Sequence, residues 1–341
     1  MPKHNPNPKP TPSDTIDIDT TRPTSLYTPT GPRPQTLSIA LPSSLLHNSK
    51  RKLDLRTTLA GQISRALAVF SVDEIIIYND GDSNPSEAYS LPQPPAADQL
   101  TAFSHPGHYL RLLLSYQETP PFMRGRLFPV CEDLKGAGLL PSLDIPSHLR
   151  AGEWCEFREG IVVRSTVEGS YVDCGLEAPR LVRGVQIPVK TRVTLRLHGQ
   201  EDGEAEAVAP DTPRVEAGYY WGYSVREAAG LSAVFTEAPF DGGYDLSVGT
   251  SERGEDVVGA VGRMKDVEYR HMVVVFGGVK GLEEAAVNDG ELQKMGIGKA
   301  RVGELFDYWV NLLPGQGSRT IRTEEAVWMG LMALRGVVEG R

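Results

Sequence analysis

Leu312-Leu313-Pro314-Gly315-Gln316-Gly317-Ser318-Arg319-Thr320-Ile321-Arg322-Thr323-Glu324-Glu325-Ala326 places a glycine-rich turn between an apolar, aromatic-containing segment and a strongly helical one. Gly315 and Gly317 allow positive φ and close backbone approach, Ser318 or Thr320 can cap, and the amides of the following first turn point at whatever lies above them. The stretch reads as a loop that opens a helix and receives a polar ligand. A second loop of the same kind lies upstream. His271-Met272-Val273-Val274-Val275-Phe276 is a continuous apolar run, the pattern of a strand buried on both faces, and it ends in Gly277-Gly278-Val279-Lys280-Gly281-Leu282-Glu283. In an open parallel sheet ligands sit outside the carboxyl ends of the strands, so two such loops about 35 residues apart line one crevice. The fold class this predicts is α/β. No three glycines here fall at i, i+2 and i+5, and no Lys-Ser/Thr pair completes a P-loop, which sets aside the dinucleotide fingerprint and the Walker pattern.

Working outward, residues 1–35 are rich in Pro, Thr and Asp with almost no apolar periodicity, and are expected to form a disordered tail. Thr36 to Leu41 alternates like a strand, Leu53 to Phe70 carries apolar residues at helical spacing, and Glu74 to Tyr78 is a second β-branched strand, together a β-α-β unit. Asn79 to Ala97 reads as a Pro/Ser/Asp loop. Gln99 to Tyr116 reads as a helix presenting Leu100, Phe103, Tyr109, Leu110 and Leu113 to the core. From Glu156 to Pro213 the texture changes to short alternating strands, among them Gly160 to Arg164, Ser170 to Cys174, Leu181 to Val185 and Thr191 to Leu197, which predicts a small β-barrel. The α/β pattern then returns with a helix over Val225 to Phe235, strands over Tyr244 to Val248, Met272 to Phe276 and Asp307 to Leu313, and a terminal helix over Ile321 to Leu334.

Apolar residues make up 40% of the 341 positions, enough to bury a large core. The net charge of −9 argues mildly against a nucleic-acid partner, since phosphate binding leaves a basic footprint. Two local basic groups run against that balance: Lys50-Arg51-Lys52 with Arg56, and Arg180, Arg183, Lys190, Arg192 and Arg196. Taken alone, each reads as a solvated face. No stretch reaches the roughly 18 uninterrupted apolar residues of a membrane span, and the start has no apolar signal-peptide core. Cys131, Cys155 and Cys174 are odd in number and widely spaced, so neither a disulfide framework nor a metal site is expected.

Phe276-Gly277-Gly278, the Gly315 to Ala326 string and Gly249-Thr250-Ser251-Glu252-Arg253-Gly254 resemble the SPOUT class of S-adenosylmethionine-dependent RNA methyltransferases. One eukaryotic and archaeal branch is similar further, in Phe128-Pro129, Asp133-Leu134, Ala137-Gly138-Leu139-Leu140, Pro146-Ser147-His148, Phe157-Arg158-Glu159-Gly160-Ile161-Val162-Val163 and Tyr220-Trp221-Gly222-Tyr223. The resemblance spans residues 36 to 335. It implies a mostly parallel sheet threaded as a trefoil knot, divided into residues 36–155 and 214–341 by an OB-like barrel inserted over 156–213, where RNA is contacted. Arg180, Arg183, Lys190 and Arg192 then become RNA-binding candidates. S-adenosylmethionine is the implied cofactor, held by Thr250, Ser251, Phe276, Gly277, Gly278, Gly281, Leu312, Leu313, Pro314, Gly315, Gln316, Gly317, Ser318, Ile321, Arg322 and Thr323.

The same resemblance implies a homodimer, for which Val327, Trp328, Met332 and Leu334 of the last helix offer a packing face, and work inside the cell on ribosomal RNA, in nucleus or nucleolus, with cytoplasm as the alternative. The Ser318 to Ala326 string is also similar to bacterial SPOUT enzymes that methylate the imide nitrogen of a uridine. That nitrogen must lose a proton, so a nearby cation helps most, and Arg253 and Arg124 are the catalytic candidates. Two other classes fit the same residues: an RNA-binding or ribosome-assembly scaffold that keeps the pocket without turnover, and an adaptor recruiting partners through its proline-rich tail, which holds no convincing docking motif.

Overall fold

Thr36–Pro42 (β1) is buried along its whole length, and such a strand needs neighbours on both edges and cover on both faces. Glu74–Tyr78 (β2) pairs with it in parallel, Ser38 opposite Glu74, and His271–Val275 (β10) does so on its other edge, Thr36 opposite His271. The structure is a computed structural model that describes residues 29, 31–47, 52–81, 105–199 and 203–338. With Ser224–Ala228 (β8), Leu246–Asp256 (β9) and Tyr308–Asn311 (β11) these strands form a wholly parallel six-stranded sheet in the order β11-β9-β10-β1-β2-β8.

Alternation sorts the side chains onto two faces. Leu37, Ile39, Leu41, Ile75, Ile77, Met272 and Val274 share one apolar cluster with Leu53–Val69 (α1), Pro106–Glu118 (α2), Val257–Met264 (α6) and Thr323–Val338 (α9). Ala40, Ile76, Tyr78, Val273 and Val275 meet Leu231–Thr236 (α5), Gly281–Asn288 (α7) and Gly290–Lys294 (α8) on the other. Two short helices, Pro121–Leu127 (α3) and Thr212–Ala217 (α4), flank the connections to a second sheet. Asp256 caps α6 through the Val258 amide at 3.1 Å, and Glu325 reaches back to the Arg322 amide at 2.9 Å to open α9.

The expected helix over Val225 to Phe235 is corrected: the segment is β8 followed by α5. Val225, Ala228, Leu231 and Val234 recur every third residue and imitate a helical stripe. In-register pairing with β2 and the extended Gly230 decide otherwise. The helix expected from Gln99 runs from Pro106; Leu100 and Phe103 lie outside the described residues, as do Lys50, Arg51 and residues 1–28 of the expected tail.

The barrel strands fall close to where alternation placed them. Phe157–Ser165 (β3), Gly169–Asp173 (β4), Arg180–Arg183 (β5), Arg192–Leu197 (β6) and Ala205–Val208 (β7) form an antiparallel sheet in the order β5-β4-β3-β6-β7, and a bridge from Leu181 to Glu204 brings its edges together, so that it nearly closes. Val162, Val172, Leu195 and Leu197 fill it.

A buried ion cluster fixes the barrel to the parallel sheet. Arg192 of β6 reaches both carboxylate oxygens of Glu118, at the end of α2, at 2.6 and 2.8 Å, and Glu159 of β3 at 2.5 Å. Glu159 also accepts from the Trp221 indole at 2.7 Å and the Thr194 hydroxyl at 2.6 Å. Burial works against the charge on Arg192, but the two carboxylates hold its pKa above the ordinary value. Gly222, at φ +100°, is required beside this cluster, because a Cβ there would lie 2.5 Å from Glu118 Oε1.

His148 packs on the same corner, its Nε2 2.5 Å from the Glu118 carbonyl oxygen. Burial pushes its pKa down to about 4 from 6.5, so the folded ring is neutral and donates from Nε2. Below about pH 6.5 the unfolded chain takes up a proton that the folded one refuses, and stability falls as pH drops towards 4. Between pH 7 and 5 this side chain accounts for about 2 kcal/mol. His148→Gln keeps a donor and does not titrate, so urea denaturation should lose less stability between those pH values than the parent does; an unchanged difference would remove His148 as the cause.

Candidate active site

All strands of a parallel sheet end on one side, and here their loops face one another across a cleft of about 930 Å³. The turn after β1 supplies Ser44 and Leu45, β9 supplies Thr250 to Arg253, the β10 loop supplies Gly277 to Gly281, and β11 ends in Asn311, after which come Leu312, Gln316 and Arg319 to Thr323.

The β9 contribution has a steric origin. Gly249 pairs with Trp309 of β11 and the next pair is Glu255 with Val310, so Thr250 to Gly254 have no counterpart and bow out of the sheet. A Cβ on Gly249 would lie 2.6 Å from the Phe306 and Trp309 rings, and one on Gly254 would lie 2.3 Å from the Val310 carbonyl carbon. The extruded loop is then tied down: Thr250 donates to the Val275 carbonyl at 3.1 Å, Ser251 to Glu283 at 3.0 Å, and the Asn311 side chain to the Glu252 carbonyl at 2.9 Å. Arg253 at its tip is 67% exposed, with its Nε 3.9 Å from Glu283 Oε1.

The β10 loop turns sharply. Gly281 sits at φ +77°, and a Cβ on Gly277 would lie 2.9 Å from Gly281 Cα. The Thr323 hydroxyl donates to the Gly277 carbonyl at 2.9 Å, which holds the start of α9 against this turn. Among the described residues the amides of Gly277, Gly278, Gly317 and Ser318 donate to no backbone carbonyl. Behind Gly278, at the carboxyl end of β2, lies Asp80, 5% exposed, accepting from the Ser43 hydroxyl at 3.1 Å, the Ser44 amide at 3.2 Å and the Ser44 hydroxyl. Burial, and then the Asp80 charge, raise the Tyr78 hydroxyl well above its ordinary pKa, and it donates to the Phe276 carbonyl at 2.7 Å.

Of the expected cofactor residues, Thr250, Ser251, Gly277, Gly278, Gly281, Leu312, Gln316, Ile321, Arg322 and Thr323 line the cleft. Leu313, Gly317 and Ser318 line an adjoining hollow of about 850 Å³ that shares Gln316, Ile321 and Arg322 with it. Phe276 is buried beneath, and Pro314 and Gly315 are exposed at the turn. Gly315 has positive φ, whereas Gly317 does not. Arg253 is in the cleft; Arg124 is not brought to it. Arg124 caps α2, donating to the Thr119 and Gln117 carbonyls at 2.8 and 2.9 Å with its guanidinium over Tyr116.

The expected RNA-binding set divides. Arg192 is spent on the buried cluster, Arg180 is buried, and Arg183 is exposed but paired with Glu168 and Glu204. Arg196 pairs with Glu206 and Glu216, and Lys190 is exposed at a turn. Ser44, Glu283 and Lys299 line the cleft and Asp80 lies behind its Gly278 wall, none of them singled out in the sequence; the polar Asn79-Asp80-Gly81 directly after an apolar strand is the signal that marks Asp80. The three cysteines are free thiols, no cluster of metal-ligating side chains occurs among the described residues, and no described helix is long and apolar enough to cross a membrane.

Glycine-rich loops gathered at the carboxyl ends of a parallel sheet, around a polar cleft, define an α/β enzyme of the ligand-binding kind. Residues 36–334 match the family model described as "Putative RNA methyltransferase". The chain is 44% identical over 314 residues to the 28S rRNA (uridine-N(3))-methyltransferase of Homo sapiens, covering 89% of this chain and 78% of that one. It is 40% identical over 312 residues to the Drosophila melanogaster protein of the same name, with coverage of 89% and 62%. An uncharacterized protein of Halobacterium salinarum is 29% identical over 314 residues, with coverage of 88% and 98%. The chain belongs to this family and is an RNA methyltransferase, an enzyme that draws on a methyl donor.

Two glycines of these loops, Gly254 and Gly317, make opposite demands. Gly254→Ala forces a Cβ into the β11 main chain and should destabilise the fold by about 1–3 kcal/mol. Gly317, with nothing within 4 Å of its Cβ position, should tolerate alanine within about 0.5 kcal/mol. Denaturant titration of both variants checks this, and equal losses would contradict the steric account of the extruded loop.

Proposed function

We propose that the protein is an S-adenosylmethionine-dependent methyltransferase of the SPOUT class that modifies large-subunit ribosomal RNA at the imide nitrogen of a uridine. The observation that carries this is the convergence of three glycine-bearing loops on one cleft in a chain whose relatives carry that activity in their names. The residues present fit the cofactor: Leu45, Leu312, Ile321 and Ala326 give an apolar wall, the amides of Gly277 and Gly278 are available donors, and the volume suits a ligand of that size. When bound, its sulfonium supplies the methyl group.

The chain's own residues position the acceptor and manage charge. Arg253 is held at the cleft mouth by its own amide on Ser251 at 3.2 Å and by the ion pair with Glu283, and there it favours the anion that forms as the imide loses its proton. Arg319 and Arg322, exposed on the same rim, receive the RNA backbone, with Lys190 and Arg183 as phosphate contacts on the barrel. The β9-to-α9 segment is threaded as a trefoil, and two copies pair through α9, where Trp328 and Met332 are 41% and 62% exposed, beside Leu313 at 46%; Val327 and Leu334, expected on the same face, are buried in the core and take no part in the pairing. In a eukaryotic cell such work belongs to the nucleus or nucleolus.

Arg253→Ala is expected to lose methyl transfer to ribosomal RNA while its cofactor affinity stays within about twofold, because the guanidinium acts on charge that develops during reaction. Transfer at the parental rate would take Arg253 out of the mechanism, and a parent that methylates no ribosomal RNA would put the scaffold reading first. Ile321→Asp, in the apolar wall of the cleft, should fold normally and lose cofactor binding; retained affinity would misplace the pocket. Light scattering should give twice the 37.2 kDa chain mass, and a monomer would count against the pairing.

A further inference from the structure

Asp80 is a buried carboxylate whose hydrogen-bond partners among the described residues are all neutral. It accepts from two hydroxyls and one amide, and none of the ion pairs among the described residues includes it. An ionised group so placed is ordinarily matched by an opposite charge, because water no longer screens it. Its position says where that charge comes from. A Cβ on Gly278 would lie 2.7 Å from Asp80 Oδ2 and 3.0 Å from Ser44 Oγ, and both Gly278 and Ser44 line the cleft. Only a glycine's width of wall therefore separates the carboxylate from a bound ligand. Ser44 Oγ gives its proton to Asp80, so towards the cleft it offers only lone pairs.

We propose that Asp80, with Ser44, is a specificity determinant for the positively charged sulfonium of the methyl donor, an inference that rests on the cofactor reading of the cleft. The imide proton leaves to solvent water, the S–CH₃ bond breaks as the N–CH₃ bond forms, the bonding pair stays on sulfur, and the donor's sulfonium charge disappears. The carboxylate thus favours the donor over the neutral thioether it becomes, which promotes exchange of spent cofactor for fresh.

The test is calorimetric titration of three compounds into the parent and Asp80→Asn: S-adenosylmethionine, sinefungin, which carries an amine in place of the methylsulfonium, and S-adenosylhomocysteine, which lacks that charge. Asp80→Asn should weaken the first two about tenfold and the third less than about twofold. Cooperative melting establishes that the variant is folded, and Asp80→Ser, smaller and equally uncharged, carries the same comparison if the asparagine variant is not. Equal losses for all three compounds, or no loss, overturn the inference and leave the cofactor reading intact. A parent that binds none of them overturns both.

Discussion

Gly254 lies against the main chain of Val310 more closely than any side chain would permit, and the shape of the site follows from that contact. Because β11 must run alongside β9 on both sides of the interruption, the five residues from Thr250 to Gly254 have nowhere to go but out of the sheet. Their exit brings the Arg253 guanidinium to the mouth, and the bond from Ser251 to Glu283 stitches the loop to α7. Thr323 on Gly277 then closes the other side. Three successive strand-end loops are thereby held in one geometry by short polar contacts.

Charge is partitioned in the same spirit. The chain is acidic overall, and many of its arginines are committed: Arg192 to two buried carboxylates, Arg226 to Glu74, Arg33 to Asp73, Arg124 and Arg158 to backbone carbonyls. Three arginines at the cleft are different in kind: Arg253 is exposed and only loosely paired with Glu283, and Arg319 and Arg322 are exposed and enter no ion pair among the described residues, whereas Lys299 there pairs with Glu284 at 2.8 Å. Exposed guanidinium groups at the cleft rim offer a polyanion local favourable charge on a chain that is acidic overall.

Much of the fold was legible because burial writes itself as period. The run from His271 to Phe276 announced a strand covered on both faces, and the alternation from Glu156 onward announced the second sheet. What failed was a segment with two readings: Val225 to Phe235 carries a three-residue recurrence that suits a helix, and only pairing with β2, a partner some 150 residues earlier, decides for a strand. The site was legible where glycines mark a need for close approach, as in Gly249, Gly254, Gly277 and Gly278. It was illegible where an arginine's partner lies far along the chain. Nothing near Arg192 reveals that Glu118 waits 74 residues before it, and nothing near Arg124 reveals that its guanidinium ends a helix. Asp80 was missed for a related reason: a carboxylate after a strand is ordinarily solvated, and only the packing of Ser43 and Ser44 takes it out of water.

The ion cluster at the corner of the two sheets has a mechanical meaning. The chain enters the barrel near Cys155, leaves it after Val208, and is clamped between those points by Arg192, while Trp221 of the returning segment sets edge to face on Phe157 at 6.1 Å. An insertion hung on two open tethers would swing; one riveted by a bidentate guanidinium keeps a constant offset from the cleft. The barrel is in that sense a caliper jaw, and the span between its outer surface and the cleft is a length written into the protein, available to select substrates by their dimensions as well as by their chemistry.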